Sequence, residues 1–209
     1  MKTYDFELLC RAMREMPNWK AISLCAASAE KIGPVIREVG LPSTWAMVQD
    51  CLNHVWSSLH ENFDHSIWQK LVDSLHSAPE WGCDDSAGLP YIVAKSLDFV
   101  DFALSASVSA TPAEEAAKAF SLLLEVMESF DTSTEQFPGD VAPLRTGLSF
   151  LSSEQNSQQY LLEVLESADI VSRDLIDSLH QESRKVAASV EKIVPVYVYY
   201  YLQGAKSTA

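Results

Sequence analysis

The chain has 209 residues, 47% of them hydrophobic, with 15 Lys and Arg against 29 Asp and Glu and a formal net charge of −14. That is enough apolar material for a contiguous core in one large helical domain. The acidic balance argues against DNA, RNA and anionic membranes as ligands, because phosphate affinity is carried by clustered Lys and Arg.

Along the chain the apolar residues recur at three- and four-residue spacing, the signature of amphipathic helices. Thr3 is placed to cap a short helix that Pro17 stops, and Asn18 to cap a second running from Trp19 towards Gly33. Gly33-Pro34 is expected to break or kink that pattern, with a further turn through Val39. Ser43 then caps the clearest helix, to about Glu61, with Trp45, Val48, Leu52, Val55, Trp56 and Leu59 on one face. Asp64 caps the next, carrying Ile67, Trp68, Leu71 and Leu75 up to a turn-rich loop, Ala78 to Asp85. Pro90 opens a helix through Leu104. Thr111-Pro112 with Glu114 and Glu115 starts another, expected to reach about Phe130. Residues 131–152 read as a long connection with one short turn around Leu148 to Leu151. From Ser153 a stripe through Leu161, Val164, Leu165, Ala168, Val171, Leu175 and Leu179 predicts one last helix, the longest. The run Ile193 to Leu202 is strand-like in composition but interrupted by Pro195. It fits an extended arm, a terminal helix or a partner-binding segment, and the plainest reading is an ordered C-terminus packed on the bundle. The fold class is therefore all-α: a single-domain bundle of about seven helices over 1–209, any sub-division falling near 105–112, with an aromatic tail at 193–209.

Charge is unevenly spread. From Ala119 to Ser172 there is one basic residue, Arg145, against nine acids: Glu125, Glu128, Asp131, Glu135, Asp140, Glu154, Glu163, Glu166 and Asp169. Acid runs usually mark solvated faces. This one forgoes the Lys and Arg that helices commonly intersperse for i to i+4 pairing, and an acidic face presented to a basic protein accounts for the bias. Trp81, beside Gly82 and among Glu80, Asp84 and Asp85, is the aromatic suited to anchor such a contact. The other tryptophans, Trp19, Trp45, Trp56 and Trp68, have core spacing.

Signals of chemistry are weak. The seven glycines are scattered at turns, so no loop wraps a pyrophosphate; no G-x-S-x-G is present. The cysteines Cys10, Cys25, Cys51 and Cys83 lack C-x-x-C spacing and read as buried thiols. Asp73 with His76, and Asp177 with His180, have the acid-x-x-His spacing of a dinuclear bundle site, which Asp98, Asp101, Glu163 and Glu166 could complete. The plainer reading is histidine at helix ends, where a cation meets the dipole. His60, Glu61, Asp64 and His65 straddle a helix break and read as a capped turn. Leu71 to His76 and Leu175 to His180 match closely over six residues, which we read as shared amphipathic composition and not duplication.

The stretch Trp19 to Leu59, with Glu30 before a Pro and then Leu52-Asn53-His54-Val55-Trp56, resembles the YjaG-like bacterial family of small all-helical proteins. The resemblance resumes at Pro90-Tyr91-Ile92-Val93-Ala94 and in the acidic helix from Glu163 to Leu179. Lys31-Ile32-Gly33 between Glu30 and Pro34, and the aromatic tail, depart from the family pattern. The resemblance implies an all-helical fold and a bacterial cytoplasm, and no activity. The start of the chain meets acids before any apolar run, unlike a secretory signal, which also points to the cytoplasm.

These readings converge on a non-enzymatic module without a cofactor. It binds a basic protein through an acidic face, as an immunity protein or inhibitor occluding a basic toxin or nuclease would. Its contact residues are Trp81, Asp84, Asp85, Glu125, Glu128, Asp131, Glu163, Glu166 and Asp169. A metal-dependent bundle enzyme using Asp73, His76, Asp177 and His180 is the alternative, and a structural homodimer the third.

Overall fold

The computed structural model describes residues 5–60, 65–83, 89–136 and 149–207. Among them are eight α-helices: α1 (Phe6–Arg14), α2 (Asn18–Val39), α3 (Pro42–Ser58), α4 (His65–His76), α5 (Leu89–Val108), α6 (Pro112–Gln136), α7 (Phe150–Glu166) and α8 (Arg173–Ser207), with no strand. All eight contribute to one hydrophobic core.

The architecture is organised around α2, which packs against α3, α5, α6 and α8. Its sequence explains why. Ala21, Ala26, Ala27 and Ala29 are buried and let neighbouring helices come close, while the hydroxyls of Ser23 and Ser28 are satisfied within the helix by the carbonyls of Trp19 and Leu24. A buried serine bonded to its own preceding turn needs no partner from the next helix. The expected break at Gly33-Pro34 does not occur: α2 continues through Pro34 to Val39. Proline inside a helix costs about 3 kcal/mol, and here the burial of Ile32, Val35 and Ile36 on either side of it offsets that cost. Gly33 serves packing instead, since a Cβ there would meet the Trp45 ring at 3.4 Å.

Helix ends depart from the sequence reading in instructive ways. Asp5, not Thr3, caps α1, accepting from the Leu8 amide at 3.0 Å; Thr3 lies outside the described residues. Neither Asn18 nor Ser43 caps its helix, because Pro17 precedes α2 and Pro42 occupies the first turn of α3. The start of α3 is held from a distance by Glu80, whose carboxylate accepts from the Leu41 amide and the Thr44 hydroxyl, each at 2.8 Å. Gly82 in the turn after α4 takes φ +68°, a conformation that favours glycine.

The second half of the chain differs most. Helix α6 runs beyond Phe130 to Gln136, so the connection is shorter than expected; Pro138, Gly139, Asp140, Pro143 and Leu148 lie outside the described residues. Helix α7 starts at Phe150 on a double cap, the Ser149 hydroxyl accepting from the Ser152 amide and Asp131 from the Phe150 and Leu151 amides. The expected single last helix is two. Residues 167–172 interrupt it, and the longest helix is α8, which carries the aromatic run through Pro195 as regular α-helix. There Ile193 and Val194 are buried and Tyr197 meets Phe130 edge-on at 5.8 Å, so the tail's start is core.

The core also encloses an ion pair. Lys31 of α2 and Glu154 of α7 are 2.8 Å apart with both side chains wholly inaccessible. Glu154 Oε2 and the neighbouring Ser157 hydroxyl have no hydrogen-bond partner among the described residues, and Gln158 donates to the Phe120 carbonyl at 3.1 Å. Burial pushes the Glu154 carboxyl above its usual range, with Lys31 and Gln158 opposing.

Candidate functional site

The site with the clearest chemistry is a groove of about 480 Å³ between α1, the turn leading into α2, and α7. Helix α1 explains it. Phe6, Leu9, Cys10 and Met13 turn one face to the core, which leaves Leu8 on the other, 59% exposed. Leu8, Leu9, Met16 and Leu162 supply the apolar lining, and Asp5, Glu15, Glu163 and Glu166 set carboxylates around it. Glu163 and Glu166 stand one helical turn apart on the exposed side of α7, with Gln159 donating to Glu163 at 3.1 Å. One basic side chain reaches the groove, Lys20, only 8% exposed, its ammonium 5.3 Å from the centre of the Trp19 ring. Lys20 has no carboxylate at ion-pair distance among the described residues.

Of the expected acidic face, Glu163 and Glu166 border this groove. Glu125 and Glu128 are exposed on α6 and Asp169 in the turn after α7, but none of the three lines the groove. Asp131 is committed to capping α7, and Glu154 is buried against Lys31. These two corrections share a cause: acids in a long amphipathic stretch are claimed first by orphan helix amides and by a buried cation. Asp84 and Asp85 lie outside the described residues. Trp81 is not an exposed anchor: half-buried, it packs on the core and stacks on His76 with ring centres 4.2 Å apart.

The two acid-x-x-His pairs are not brought together. His76 of α4 bonds Asp101 at 3.1 Å, and His180 of α8 bonds Glu30 at 2.8 Å. Asp73 instead accepts from Gln69. Among the described residues no three His, Cys, Asp or Glu side chains gather as metal ligands would. The six-residue match that carries these histidines does have one structural echo, since each imidazole meets a carboxylate from another helix and lies against an indole, Trp81 for His76 and Trp56 for His180 at 4.5 Å. His60 is exposed at the end of α3; Glu61, Asp64 and the His65 side chain lie outside the described residues.

A second polar constellation lies where α2, α3 and α8 meet. Glu30 accepts from Trp56 Nε1 at 3.0 Å and engages His180 Nδ1. Sequence reasoning missed Glu30, Lys31 and Lys20, although adjacent Glu30 and Lys31 in an otherwise apolar run signal that each must find a partner in the core. All four cysteines are free thiols. Cys25 and Cys51 are buried, while Cys10 and Cys83 are half-buried, short of the expected full burial. Burial pushes the Cys51 thiol up to about 12, with Asp50 adding to the effect, and raises Cys25 further.

No helix among the described residues is long and apolar enough to cross a membrane. Comparisons with protein-family models, curated proteins and solved structures found no match.

Proposed function

We propose that this is a non-enzymatic binding module that takes a basic protein segment in the α1/α7 groove. The observation that carries the reading is the grouping of Asp5, Glu15, Glu163 and Glu166 around an apolar trough with Leu8 exposed beside it. Apolar residues supply contact area, and carboxylates at the rim steer a cationic partner and reject an anionic one. The net charge of −14 extends that bias beyond contact range. A partner helix or loop with Lys or Arg flanking apolar residues satisfies both parts. Occlusion of a basic toxin or nuclease surface, as by an immunity protein or inhibitor in a bacterial cytoplasm, is the biological role that fits this chemistry.

The test is affinity capture from the native host by wild type and by the Glu163→Lys/Glu166→Lys variant, at low and at high salt. A basic protein retained by wild type at low salt, released at high salt and ignored by the variant supports the proposal. Retention of only neutral or acidic proteins, or equal retention by the variant, overturns it.

A further inference from the structure

A second groove, independent of the first and of the function proposed for it, has a different chemistry. It measures about 310 Å³ and lies between α2, α3 and α8, lined among others by Glu30, Arg37, Trp45, Gln49, Asn53 and Arg184. That volume is at the lower end of small-molecule sites.

Each side chain arrives there for a local reason. Gln49 and Asn53 are one turn apart on the exposed side of α3 and point amide donors and acceptors out of the helix. Trp45, one turn earlier, packs over Gly33 of α2 and gives the groove an aromatic wall. Arg37 is fixed from behind, its Nε bonding Glu38 at 2.9 Å and its Nη2 bonding Glu191 at 2.7 Å. Arg184 is different: exposed, it has no acceptor among the described residues, although the chain has nearly twice as many acids as bases. What sets Arg184 apart from the other exposed arginines is its place on the groove, where its guanidinium can meet an anion.

Glu30, which lines the groove, is held by an indole and by an imidazole outside the lining. Glu30 is held by the Trp56 indole, and its acceptor oxygens require His180 Nδ1 to carry the proton. The other ring nitrogen, Nε2, has no partner among the described residues. His180 is one helical turn before Arg184 on α8, so the two project from neighbouring turns of one helix. The groove joins a fixed guanidinium, a second one without an acceptor among the described residues, an aromatic wall and two amides that read hydrogen-bonding edges.

We propose that this groove binds a small ligand carrying a carboxylate or phosphate on a flat ring system, its anion on Arg184 and its ring along Trp45 within reach of Gln49 and Asn53. Two sources share that chemistry, a nucleoside monophosphate and an aromatic carboxylic acid. Guanidinium forks match both anions, and indoles stack on both kinds of ring. Edge donors and acceptors on a nucleobase suit the two amides; a plain aromatic acid leaves them to water.

The test is titration of the full chain with adenosine 5′-monophosphate and with 2-naphthoate, following the tryptophan Nε1–H and side-chain amide signals by NMR. Inorganic phosphate, acetate and adenosine supply the anion-only and ring-only arms. The expected result is saturable movement of the Trp45 indole and Asn53 amide signals by at least one of the two ring-bearing anions, with Kd below about 1 mM. Removing the groove's second guanidinium, Arg184→Ala, weakens that binding by about tenfold or more. Because Arg184 is exposed and has no bonding partner among the described residues, this variant keeps its fold, and unchanged signals from Trp68 verify it. Preference for the nucleotide assigns the phosphate ester, and preference for the naphthoate assigns the carboxylic acid. No saturable movement with either ring-bearing anion, equal binding of phosphate alone, or undiminished binding by Arg184→Ala overturns the proposal.

Discussion

Replacing Lys31 with Met tests the reading of the buried ion pair. The Lys31 ammonium and the Glu154 carboxylate are 2.8 Å apart, and neither side chain touches solvent. Met keeps the length of the lysine stem but leaves a carboxylate facing an apolar wall, with Oε2 already lacking a partner among the described residues. Breaking a buried pair from one side costs about 3–5 kcal/mol, whereas exchanging both members for apolar residues of similar volume is often neutral or stabilising. We therefore expect Lys31→Met to lose about 3–5 kcal/mol and Lys31→Met/Glu154→Leu to recover most of it. With a urea slope of about 2–3 kcal/mol per M for a chain of this size, the single variant moves the unfolding midpoint down by about 1–2.5 M. Urea titration followed by circular dichroism at 222 nm reads both. A single variant that loses less than about 1 kcal/mol, or a double variant that loses as much as the single, would refute the reasoning. In that case solvent reaches the pair, or another group compensates Glu154.

The same carboxyl gives a signed pH prediction. Burial raises Glu154 above its ordinary value of 4.5, so its contribution is greatest below that value and declines as pH rises through the raised one. Wild type should accordingly lose stability relative to Glu154→Gln on going upward from pH 4.5, by urea midpoint; a gain would mean that the attraction of Lys31 outweighs desolvation. Asp131→Ala removes both side-chain acceptors from the Phe150 and Leu151 amides and should cost about 1–2 kcal/mol in thermal unfolding, while Glu128→Ala, on the exposed side of α6, should cost less than about 0.5. With a thiol-specific disulfide reagent at pH 8, Cys10 and Cys83 should react in the folded protein and Cys25 and Cys51 only after denaturant is added, because burial holds the latter two as thiols. Rapid labelling of all four without denaturant would contradict the packing of α2 and α3.

The helical class, the buried tryptophans Trp56 and Trp68, the Pro112 start of α6 and the loop after α4 were legible from periodicity and cap chemistry, because those are local properties. The departures came from non-local interactions. Pro34 does not break α2, since the helix is packed around the proline; Asp131 and Glu80 cap helices remote from them in sequence; and Trp81 is covered by a histidine five residues earlier. The α7/α8 interruption fell where one apolar stripe continues in phase across a turn, a case that periodicity cannot separate from an unbroken helix. Of the expected partner contacts, Glu163 and Glu166 line the groove, whereas Glu125, Glu128 and Asp169 are exposed but not part of its lining. The groove's other half, Asp5, Leu8 and Glu15, comes from α1 and its flanks, whose proximity to α7 is set by tertiary packing.

The most direct test of the acidic groove is hydrogen exchange of the protein alone and in complex with the basic partner it captures. The account predicts that slowed exchange on binding is concentrated in α1 and α7, around Leu8, Leu9, Leu162 and Glu163. Protection confined to α3, α4 or α5, with α1 and α7 unchanged, would contradict it.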